Sequence, residues 1–427
     1  MSGCDSRRIL RTEATPTPAQ DPAVYGVGMS ADAPSDVLIV GGGFAGLYAA
    51  KAAARHLSRV VIVDSSGVQT FQPLLYQVAS GLLPVDVVNY PLDHTRGVEV
   101  VQAEVKDIDL ERTAVTTTDG RTLTATRLVI ATGARVNFFG VEGAAQFALP
   151  LYTAVDARDI TTRLQRLVEA ERDFDVVIVG AGATGIELAG ILGEVIRDIL
   201  PRTYPRLRGE DVTVHVVDQA DAPLAHMSSA SQAYARKVLE GAGVIFHLGE
   251  SVSSVQADGV TLADGKRLLA GMVVWAGGLS ANVPSSTPPL ATGEDGRVLI
   301  DSTLRIAGRP DIYCVGDCAA DVSDPLPQLG SVAKQQGIHV AHSIHRQTQG
   351  REPKPFAYRD RGTMAMLGHD RAVVELGPKH LEIEGALAAA MWLGVHAVLL
   401  PDEHSRSEAV HDWIHEWATK KSSFLGV

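Results

Sequence analysis

The sequence predicts a mixed α/β protein built from two similar βαβ units and a smaller α+β module at the C-terminus. Short buried strands alternate with amphipathic stretches, which is typical of βαβ units in a parallel sheet. One pattern of strand, glycine-rich loop and helix occurs twice, with loops that start at Gly41 and Gly180. The 427 residues suffice for roughly two to four domains. A single small module is therefore excluded.

Composition and charge exclude several kinds of protein. Hydrophobic residues make up 45% of the chain and charged residues 21%, which excludes a mainly disordered protein. The net charge of −12 opposes binding to nucleic acid and to anionic lipid, so we predict no nucleic-acid partner. Three cysteines are too few for a disulfide framework and fit a reducing cytoplasm. No apolar run reaches the roughly 18–20 residues that span a bilayer, so membrane contact would be peripheral.

The predicted elements follow in order along the chain. Residues 1–35, rich in Ala, Pro, Ser, Thr and Asp, predict a disordered leader. The two units repeat one order of elements: strand 37–40, helix 44–56 and strand 60–63, then strand 176–179, helix 183–200 and strand 212–217. Pro201 and Pro205 are expected to end the second helix. Further strands and a C-terminal module are predicted at 244–248, 272–275, 312–315, 362–367 and 372–376, with an apolar helix at 386–400 and an amphipathic helix after it.

The first glycine-rich loop, Gly41 to Gly46, has the G-x-G-x-x-G spacing between a strand and a helix. Gly41 permits the tight turn, Gly43 lets the backbone approach a pyrophosphate, and Gly46 permits close packing of helix on strand. Asp64 ends the next strand, about 20 positions further on, where a carboxylate accepts a hydrogen bond from a ribose hydroxyl. These features predict a Rossmann-like dinucleotide-binding domain.

The second loop repeats the motif at Gly180, Gly182 and Gly185, and Asp218 follows the next predicted strand after a longer connection. A carboxylate at that place binds a free 2′-hydroxyl and repels a 2′-phosphate, which favours NADH over NADPH. No Arg occurs between 219 and 235 to neutralise a phosphate. The longer connection leaves a second interpretation open, in which Asp218 begins a solvated loop.

Two dinucleotide sites in one chain indicate hydride transfer from a nicotinamide to a flavin. Two strands that end in Ala131-Thr132-Gly133 and Gly316-Asp317 add to this pattern. Together the four motifs, over about residues 36–350, resemble the flavoprotein family with two dinucleotide-binding domains, the glutathione-reductase-like family. That resemblance implies that the first copy binds FAD, with the Gly-Asp carboxylate on the ribityl chain, and that the second binds the nicotinamide nucleotide.

The cysteines separate the branches of this superfamily. Disulfide reductases need a thiol pair beside the flavin, shortly after the first unit, and residues 65–100 contain no cysteine. Enzymes with a single thiol in that region are excluded for the same reason. Cys314 and Cys318 flank Asp317, and packing around the flavin turn is their expected role.

In place of the thiols stands Phe-Gln-Pro-Leu-Leu-Tyr-Gln at 71–77, which resembles a segment of type II, non-proton-pumping NADH:quinone oxidoreductases. Six further segments resemble that family: 137–140, 184–190, 274–278, 325–337, 358–368 and 392–396. The resemblance implies that NADH reduces FAD and that the flavin passes two electrons to a quinone. Together with the composition and the pattern of elements, it predicts five segments: a leader at 1–35, an FAD-binding domain at 36–150 and 285–350, an NADH-binding domain at 151–284, and a C-terminal module at 351–427.

The resemblance assigns residues to each site. The expected FAD contacts are Gly41, Gly43, Phe44, Ala45, Gly46, Asp64, Gln72, Pro73, Leu74, Ala131, Thr132, Gly133, Gly316 and Asp317. The expected NADH contacts are Gly180, Gly182, Ala183, Thr184, Gly185, Asp218, Ala276 and Gly277.

The expected catalytic residues lie on two helices. Glu187 matches the family glutamate near nicotinamide and flavin, although a partner for the helix dipole is an equally good interpretation. Gln335 and Gln336 fit the family pattern near flavin and quinone. Ser331 departs from the family, which commonly has Ala-Gln at 330–331, and Lys334 replaces a frequently apolar residue. Either could donate to the quinone carbonyl in place of the missing amide.

In the family that this sequence resembles, the C-terminal segment forms amphipathic helices that anchor the protein to the membrane. Val410, Trp413, Ile414 and Trp417 form one apolar stripe at helical spacing. Residues 401–427 hold more acidic than basic side chains, which opposes contact with anionic lipid. Packing on the domain, a homodimer, and peripheral attachment to the inner face of the cell membrane therefore stay open for an otherwise cytoplasmic protein.

Two other functions compete with quinone reduction. One is a soluble NADH-dependent reductase of a redox protein or small acceptor, and the other is a flavin-binding signalling protein with slow NADH oxidation. Both share the two dinucleotide motifs, whereas the 71–84 segment counts against them.

Overall fold

The computed structural model describes residues 34–170, 173–204, 212–377 and 381–419, and for 415–419 only the backbone. The predicted leader therefore lies outside the described residues, apart from its last two positions. The side chain of Trp417 lies outside them as well.

An eight-stranded sheet carries the first glycine-rich loop. In spatial order its strands are Ala319–Asp321, Val298–Ile300, Arg305–Ile306, Arg309–Cys314, Leu128–Ile130, Val37–Val40, Val60–Asp64 and Val98–Gln102. Its last five strands are parallel, and Val40 pairs with both Val63 and Ile130. The residues that follow these strands therefore meet at one edge of the sheet.

A five-stranded parallel sheet carries the second loop. Its order is Leu149–Pro150, Met272–Trp275, Phe174–Val179, Val212–Asp218 and Val244–Leu248. Val179 pairs with Val217 and Trp275, so Gly180, Asp218 and Ala276 follow side by side. The two sheets thus repeat one arrangement, as the duplicated motif predicts.

Smaller antiparallel and mixed sheets complete the described part of the chain. They are Val68–Thr70 with Asn89–Pro91; Ser286–Thr287 with Val105–Asp109, Ala114–Thr117 and Thr122–Thr124; Ala134–Val136 with Leu279–Ala281; Val252–Gln256 with Gly259–Leu262 and Arg267–Leu269; and Thr363–Met366 with Ala372–Leu376 and Leu381–Gly385. The C-terminal sheet has three strands where the sequence predicted two, because a third, mostly exposed strand precedes the apolar helix.

In the described ranges, ten α-helices connect and cover these sheets. They are α1 Phe44–Ala53, α2 Leu75–Ala79, α3 Ala144–Phe147, α4 Ala154–Glu169, α5 Ala183–Glu194, α6 Leu200–Thr203, α7 Ser229–Gly241, α8 Gly330–Thr348, α9 Ala386–Leu399 and α10 Glu403–Thr419. A π-helical turn, Val195–Ile199, joins α5 to α6. Helix α6 continues past Pro201, contrary to the predicted end, because proline is tolerated in the first turn of a new helical segment.

The C-terminal module packs on the second unit. Gly190 of α5 lies against the backbone of Leu367 and Gly368, where a Cβ would come within 2.8 Å of the Gly368 nitrogen. The apolar residues of α2, α4, α5 and α9 bury into one common cluster with the C-terminal sheet. The C-terminal module therefore covers the part of α5 that resembles the family segment 184–190.

Candidate active site

The first glycine-rich loop forms an open cradle at the edge of the eight-stranded sheet. Gly41 has a φ of +99° and lies on the carbonyl of Ala131, so a side chain there would collide. Gly46 lies on the backbone of Gly41 in the same way. A Cβ at Gly43 would meet no atom within 4 Å. Gly43 begins α1, so the free N–H groups of the first helical turn face a space that suits a phosphate.

Asp64 is held beside this cradle by backbone hydrogen bonds. The amide of Gly42 donates to its Oδ2 at 2.7 Å, and the amides of Ser66 and Gly67 donate to its Oδ1 at 2.8 and 3.0 Å. The carboxylate therefore has a fixed position at the end of its strand, where the ribose of a dinucleotide is bound in this fold.

The second loop has the same construction. Gly180 has a φ of +113° and lies on the carbonyl of Ala276, while a Cβ at Gly182 would meet no atom within 4 Å. The amide of Ala181 donates to Asp218 Oδ2 at 2.5 Å, as the amide of Gly42 donates to Asp64. Asp218 thus occupies the equivalent place in the second copy, although its connection to the loop is longer.

The turn at Thr132 and Gly133 is fixed by a residue that the sequence did not indicate. The backbone carbonyl of Asn282 accepts a hydrogen bond from the Thr132 hydroxyl at 2.5 Å. The backbone amide of Asn282 donates to the carbonyl of Gly133 at 2.9 Å. Tyr152 lies beside the same turn, and burial, with a smaller contribution from Asp317, raises the pKa of its hydroxyl to about 12. Both partners are more than a dozen positions away in sequence.

Asp317 lines a cavity of about 540 Å³, together with Arg297 and Gln336. Burial raises the pKa of Asp317 to about 6, partly offset by the charge of Arg297. Gln336 is buried, and its Oε1 accepts the amide of Gly316 at 2.7 Å. Gln336 therefore fixes the Gly-Asp turn, a role that the sequence did not specify.

A row of rings leads away from the first cradle. Phe44 packs on Phe71 with ring centroids 5.6 Å apart, and Phe71 contacts His396 edge-on at 6.2 Å. His396 stacks on Trp392 at 3.7 Å, and burial lowers its pKa to about 4. Gln72 and its neighbours form a short turn at the side of this row.

Glu187 is fully covered at the far end of that row. Its Oε1 accepts the amide of Met366 and the indole N–H of Trp392, each at 3.1 Å. Burial raises the pKa of the carboxyl to about 8, against the lowering effect of the two hydrogen bonds. Burial thus favours the neutral acid form of Glu187.

The predicted residues of α8 separate into three environments. Gln335 is tied to the backbone of Arg359 by two hydrogen bonds of 3.1 Å. Lys334 is half-buried, with its ammonium group 4.2 Å from the ring centroid of Tyr48. Ser331 shares a hydrogen bond of 2.9 Å with the hydroxyl of Tyr358. The structure thus brings Lys334 and Ser331 near the first cradle, because a Cβ at Gly330 would lie 3.6 Å from the ring of Phe44.

Comparisons with known proteins agree with this geometry. A family model described as pyridine nucleotide-disulphide oxidoreductase matches residues 35–337. The type II NADH:quinone oxidoreductase NdhA of Mycobacterium tuberculosis is 31% identical over 88% of this chain and 86% of its own. That of Staphylococcus saprophyticus is 26% identical over 83% of this chain and 92% of its own.

The chain belongs to the type II NADH:quinone oxidoreductase family. A solved structure of NDH2 from Plasmodium falciparum in complex with NADH shares the fold, with a TM-score of 0.81 at 17% identity over 91% of this chain and 99% of that chain. The predicted family and fold class are confirmed.

The residues of this NADH:quinone oxidoreductase fit FAD and NADH. In each cradle the open space lies at the middle glycine of the motif, Gly43 or Gly182. This is the glycine that a phosphate must approach. The other expected contacts divide by exposure: Phe44, Gln72, Pro73, Thr132, Ala183, Ala276 and Gly277 are half-buried, Thr184 is exposed, and Ala45, Leu74 and Ala131 are buried. The buried ones can offer only backbone contacts.

One further buried acid, Glu194, was missed by the sequence analysis. Glu194, two turns after Glu187 on α5, accepts the amide of His369 and contacts its Nδ1, both at 2.8 Å. Both acids therefore bind the C-terminal module. The only sequence signal was their common spacing on an otherwise apolar helix, which does not identify their partners.

Proposed function

We propose that this chain oxidises NADH and reduces a quinone through FAD, with the roles of individual residues as follows. The family confirms the predicted enzyme class and cofactors. FAD, when bound, accepts a hydride from NADH and passes two electrons to the quinone. The observation that carries the proposal is the pair of open cradles, each with a fixed carboxylate at the same place.

The two cradles bind and orient the dinucleotides. Helices α1 and α5 direct their first N–H groups to the phosphates, and Asp64 and Asp218 accept hydrogen bonds from ribose hydroxyls. Orientation supplies most of the acceleration, because hydride transfer between stacked rings needs no acid or base.

Glu187 holds a proton at the far end of the row of rings, next to Trp392. Its Oε1 accepts two N–H groups, which leaves Oε2 to carry the proton. Quinone reduction consumes protons, and a neutral acid with a pKa of about 8 can give one up near physiological pH.

Ser331 donates to a quinone carbonyl, and the ammonium group of Lys334 lies beside the quinone ring. Both residues lie near the N-terminus of α8, beside Phe44. Tyr358 orients the hydroxyl of Ser331. Gln336 holds the Gly-Asp turn and Gln335 holds the segment at 359. The two glutamines are therefore positioning residues.

Anaerobic reduction followed by reoxidation tests the proposed function. NADH added to the holoenzyme without oxygen should bleach the flavin absorption near 450 nm, and a quinone should restore it within milliseconds to seconds. A flavin that NADH reduces but no quinone reoxidises would refute quinone reduction. Rapid reoxidation by a redox protein alone would instead support a soluble reductase.

The variant Glu187→Gln tests the proton-holding role. It should lower quinone turnover or the affinity for NADH, because Gln keeps the acceptor oxygen but offers no acidic proton. Glu194→Gln is the matched control, since it removes the other buried acid of α5 from a place further from the row of rings. Equal kinetics for Glu187→Gln and the unaltered enzyme would remove Glu187 from the mechanism.

We also propose that the enzyme works at the inner face of the cell membrane. None of the helices among the described residues combines the length and the apolarity needed to cross a bilayer. Helix α9 carries no charged side chain, and Leu387, Val395 and Val398 are exposed along it. This α9 stripe supports peripheral contact with lipid, and a homodimer is the competing use of the same face.

A further inference from the structure

Four cations gather where α1 and α8 meet the turn between α9 and α10. The ammonium group of Lys334 lies 4.2 Å from the ring centroid of Tyr48, and that of Lys51 lies 4.3 Å from the ring centroid of Tyr90 and 6.0 Å from that of Tyr48. Lys51 also reaches the carbonyl of Pro401, and Arg406 binds the carbonyl of Leu400 in the same turn. Arg361, the fourth, lies close enough to act electrostatically on Lys334. We call Lys51, Lys334, Arg361 and Arg406 the cation cluster.

No ion pair neutralises the cluster within the described part of the chain. There, no carboxylate lies within ion-pair distance of any of its four side chains, although other basic residues pair with acids at 2.6 to 4.0 Å. Asp402 acts electrostatically on Lys51, but its oxygens accept hydrogen bonds from the amide and the hydroxyl of Ser405. In a chain of net charge −12, four unpaired cations in one place indicate an anionic ligand.

The neighbours of the cluster are aromatic and close to the proposed acceptor position. Tyr48 lies one helical turn after Phe44 on α1, and Lys334 lies one turn after Gly330, which contacts the Phe44 ring. Burial lowers the pKa of both Lys51 and Lys334, and neighbouring cations add to this effect, while Asp402 opposes it at Lys51. A flat ring with an acidic substituent matches this combination of ring faces and charge.

We propose that the cation cluster binds the acidic substituent of an anionic aromatic quinone, so that the enzyme selects such acceptors over neutral quinones with the same ring. The inference rests on the proposed quinone reduction. The reaction itself is balanced as before: NADH, one proton and the quinone give NAD⁺ and the hydroquinone, and the acidic substituent is unchanged. Lys51 and Arg406 are then specificity-determining residues outside the reacting atoms.

Paired acceptors test this selection. We would measure kcat/KM for 1,4-naphthoquinone-2-sulfonate and for 1,4-naphthoquinone with the holoenzyme at low and high salt. The ratio of anionic to neutral acceptor should fall about 10-fold in Lys334→Met and about 3- to 10-fold in Lys51→Met, and Lys334→Arg should restore it. Lys266→Met, an exposed lysine on a turn of the second unit, is the control. Salt should lower the ratio for the unaltered enzyme more than for Lys334→Met.

Equilibrium binding separates the inference from the proposed function. Naphthalene-2-sulfonate cannot be reduced, and calorimetry should show that it binds the holoenzyme more weakly after Lys334→Met but equally after Lys266→Met. This result would support the anion site even if no quinone reoxidised the flavin. An unchanged acceptor ratio and unchanged sulfonate binding would overturn the inference. It would also be overturned if the variants kept the ratio but lost binding to phosphatidylglycerol vesicles, since the cluster would then serve a lipid phosphate.

Discussion

Glu187 is an acid in a place where its charge is costly. Its pKa of about 8 lies above the ordinary 4.5 because burial outweighs two hydrogen bonds. Between these values the folded state binds a proton that the unfolded state has released, so the free energy of unfolding falls as pH rises through that window. At about 1.4 kcal/mol per pKa unit, roughly 2–4 kcal/mol should be lost between pH 5 and pH 8.

The variant Glu187→Gln should remove this part of the pH dependence. Its melting temperature is expected to fall less than that of the unaltered enzyme between pH 5 and pH 8.5, as followed by circular dichroism on the holoenzyme. Glu294→Gln serves as the control, because Glu294 is an exposed turn residue. Parallel curves for Glu187→Gln and the unaltered enzyme would show that Glu187 is ionised in the folded state.

Asp218 carries the prediction about the nucleotide. Its carboxylate is fixed by the amides of Ala181 and Ala220, at the place equivalent to Asp64. The variant Asp218→Asn keeps an acceptor oxygen and removes the charge, so the kcat/KM ratio of NADPH to NADH should rise about 10-fold. Asp264→Asn, an exposed turn residue of the same unit, should leave the ratio unchanged. A ratio unaffected by Asp218→Asn would favour the solvated-loop interpretation.

Residues at the cradles could be predicted, whereas their remote partners could not. Gly41, Gly43 and Asp64 belong to a local motif in which backbone geometry dictates the residue type. Asn282 and Trp392 contact predicted residues from 150 and 205 positions away, and no local pattern encodes such a contact.

Helix α5 shows how one element fixes the C-terminal module. Gly190 lies against the backbone of Leu367 and Gly368, so Gly190→Ala should force the module away and cost roughly 1–3 kcal/mol of unfolding free energy. Gly394 of α9 faces open space, so Gly394→Ala should instead gain up to about 1 kcal/mol from helix propensity. Denaturant unfolding of both variants measures the difference. Equal changes in unfolding free energy for the two variants would mean that α5 packs less closely on the turn between Thr363–Met366 and Ala372–Leu376.

Elements with strong periodicity were easier to predict than those that depend on neighbours. The strand of Val176 and the helix that begins at Ala183 follow from a buried run and a glycine loop. The π-helical turn and the continuation past Pro201 depend on how α5 meets the second sheet, which the sequence pattern does not contain. The third C-terminal strand has few buried residues, so it has no hydrophobic alternation to reveal it.

At the scale of the whole molecule, the distribution of charge matters more than its sum. The net charge of −12 argued against anionic partners. Yet the folded chain gathers the cation cluster at one end of the uncharged helix α9. A count along the sequence cannot show this, because Lys51, Lys334 and Arg406 are brought together only by the packing of α1, α8 and the turn before α10.

The α9 stripe decides how the enzyme meets its surroundings. Leu387, Val395 and Val398 are 64%, 39% and 72% exposed, so they face solvent in the free chain at a cost that a lipid surface would remove. Changing all three to Ser should abolish co-sedimentation with vesicles and leave activity with a water-soluble quinone intact. Val155 and Leu269, each 61% exposed on the second unit, provide control changes to Ser that should not alter sedimentation. If the triple variant still sedimented with vesicles but ran at half the mass in light scattering, the stripe would be a dimer interface and the membrane proposal would be wrong.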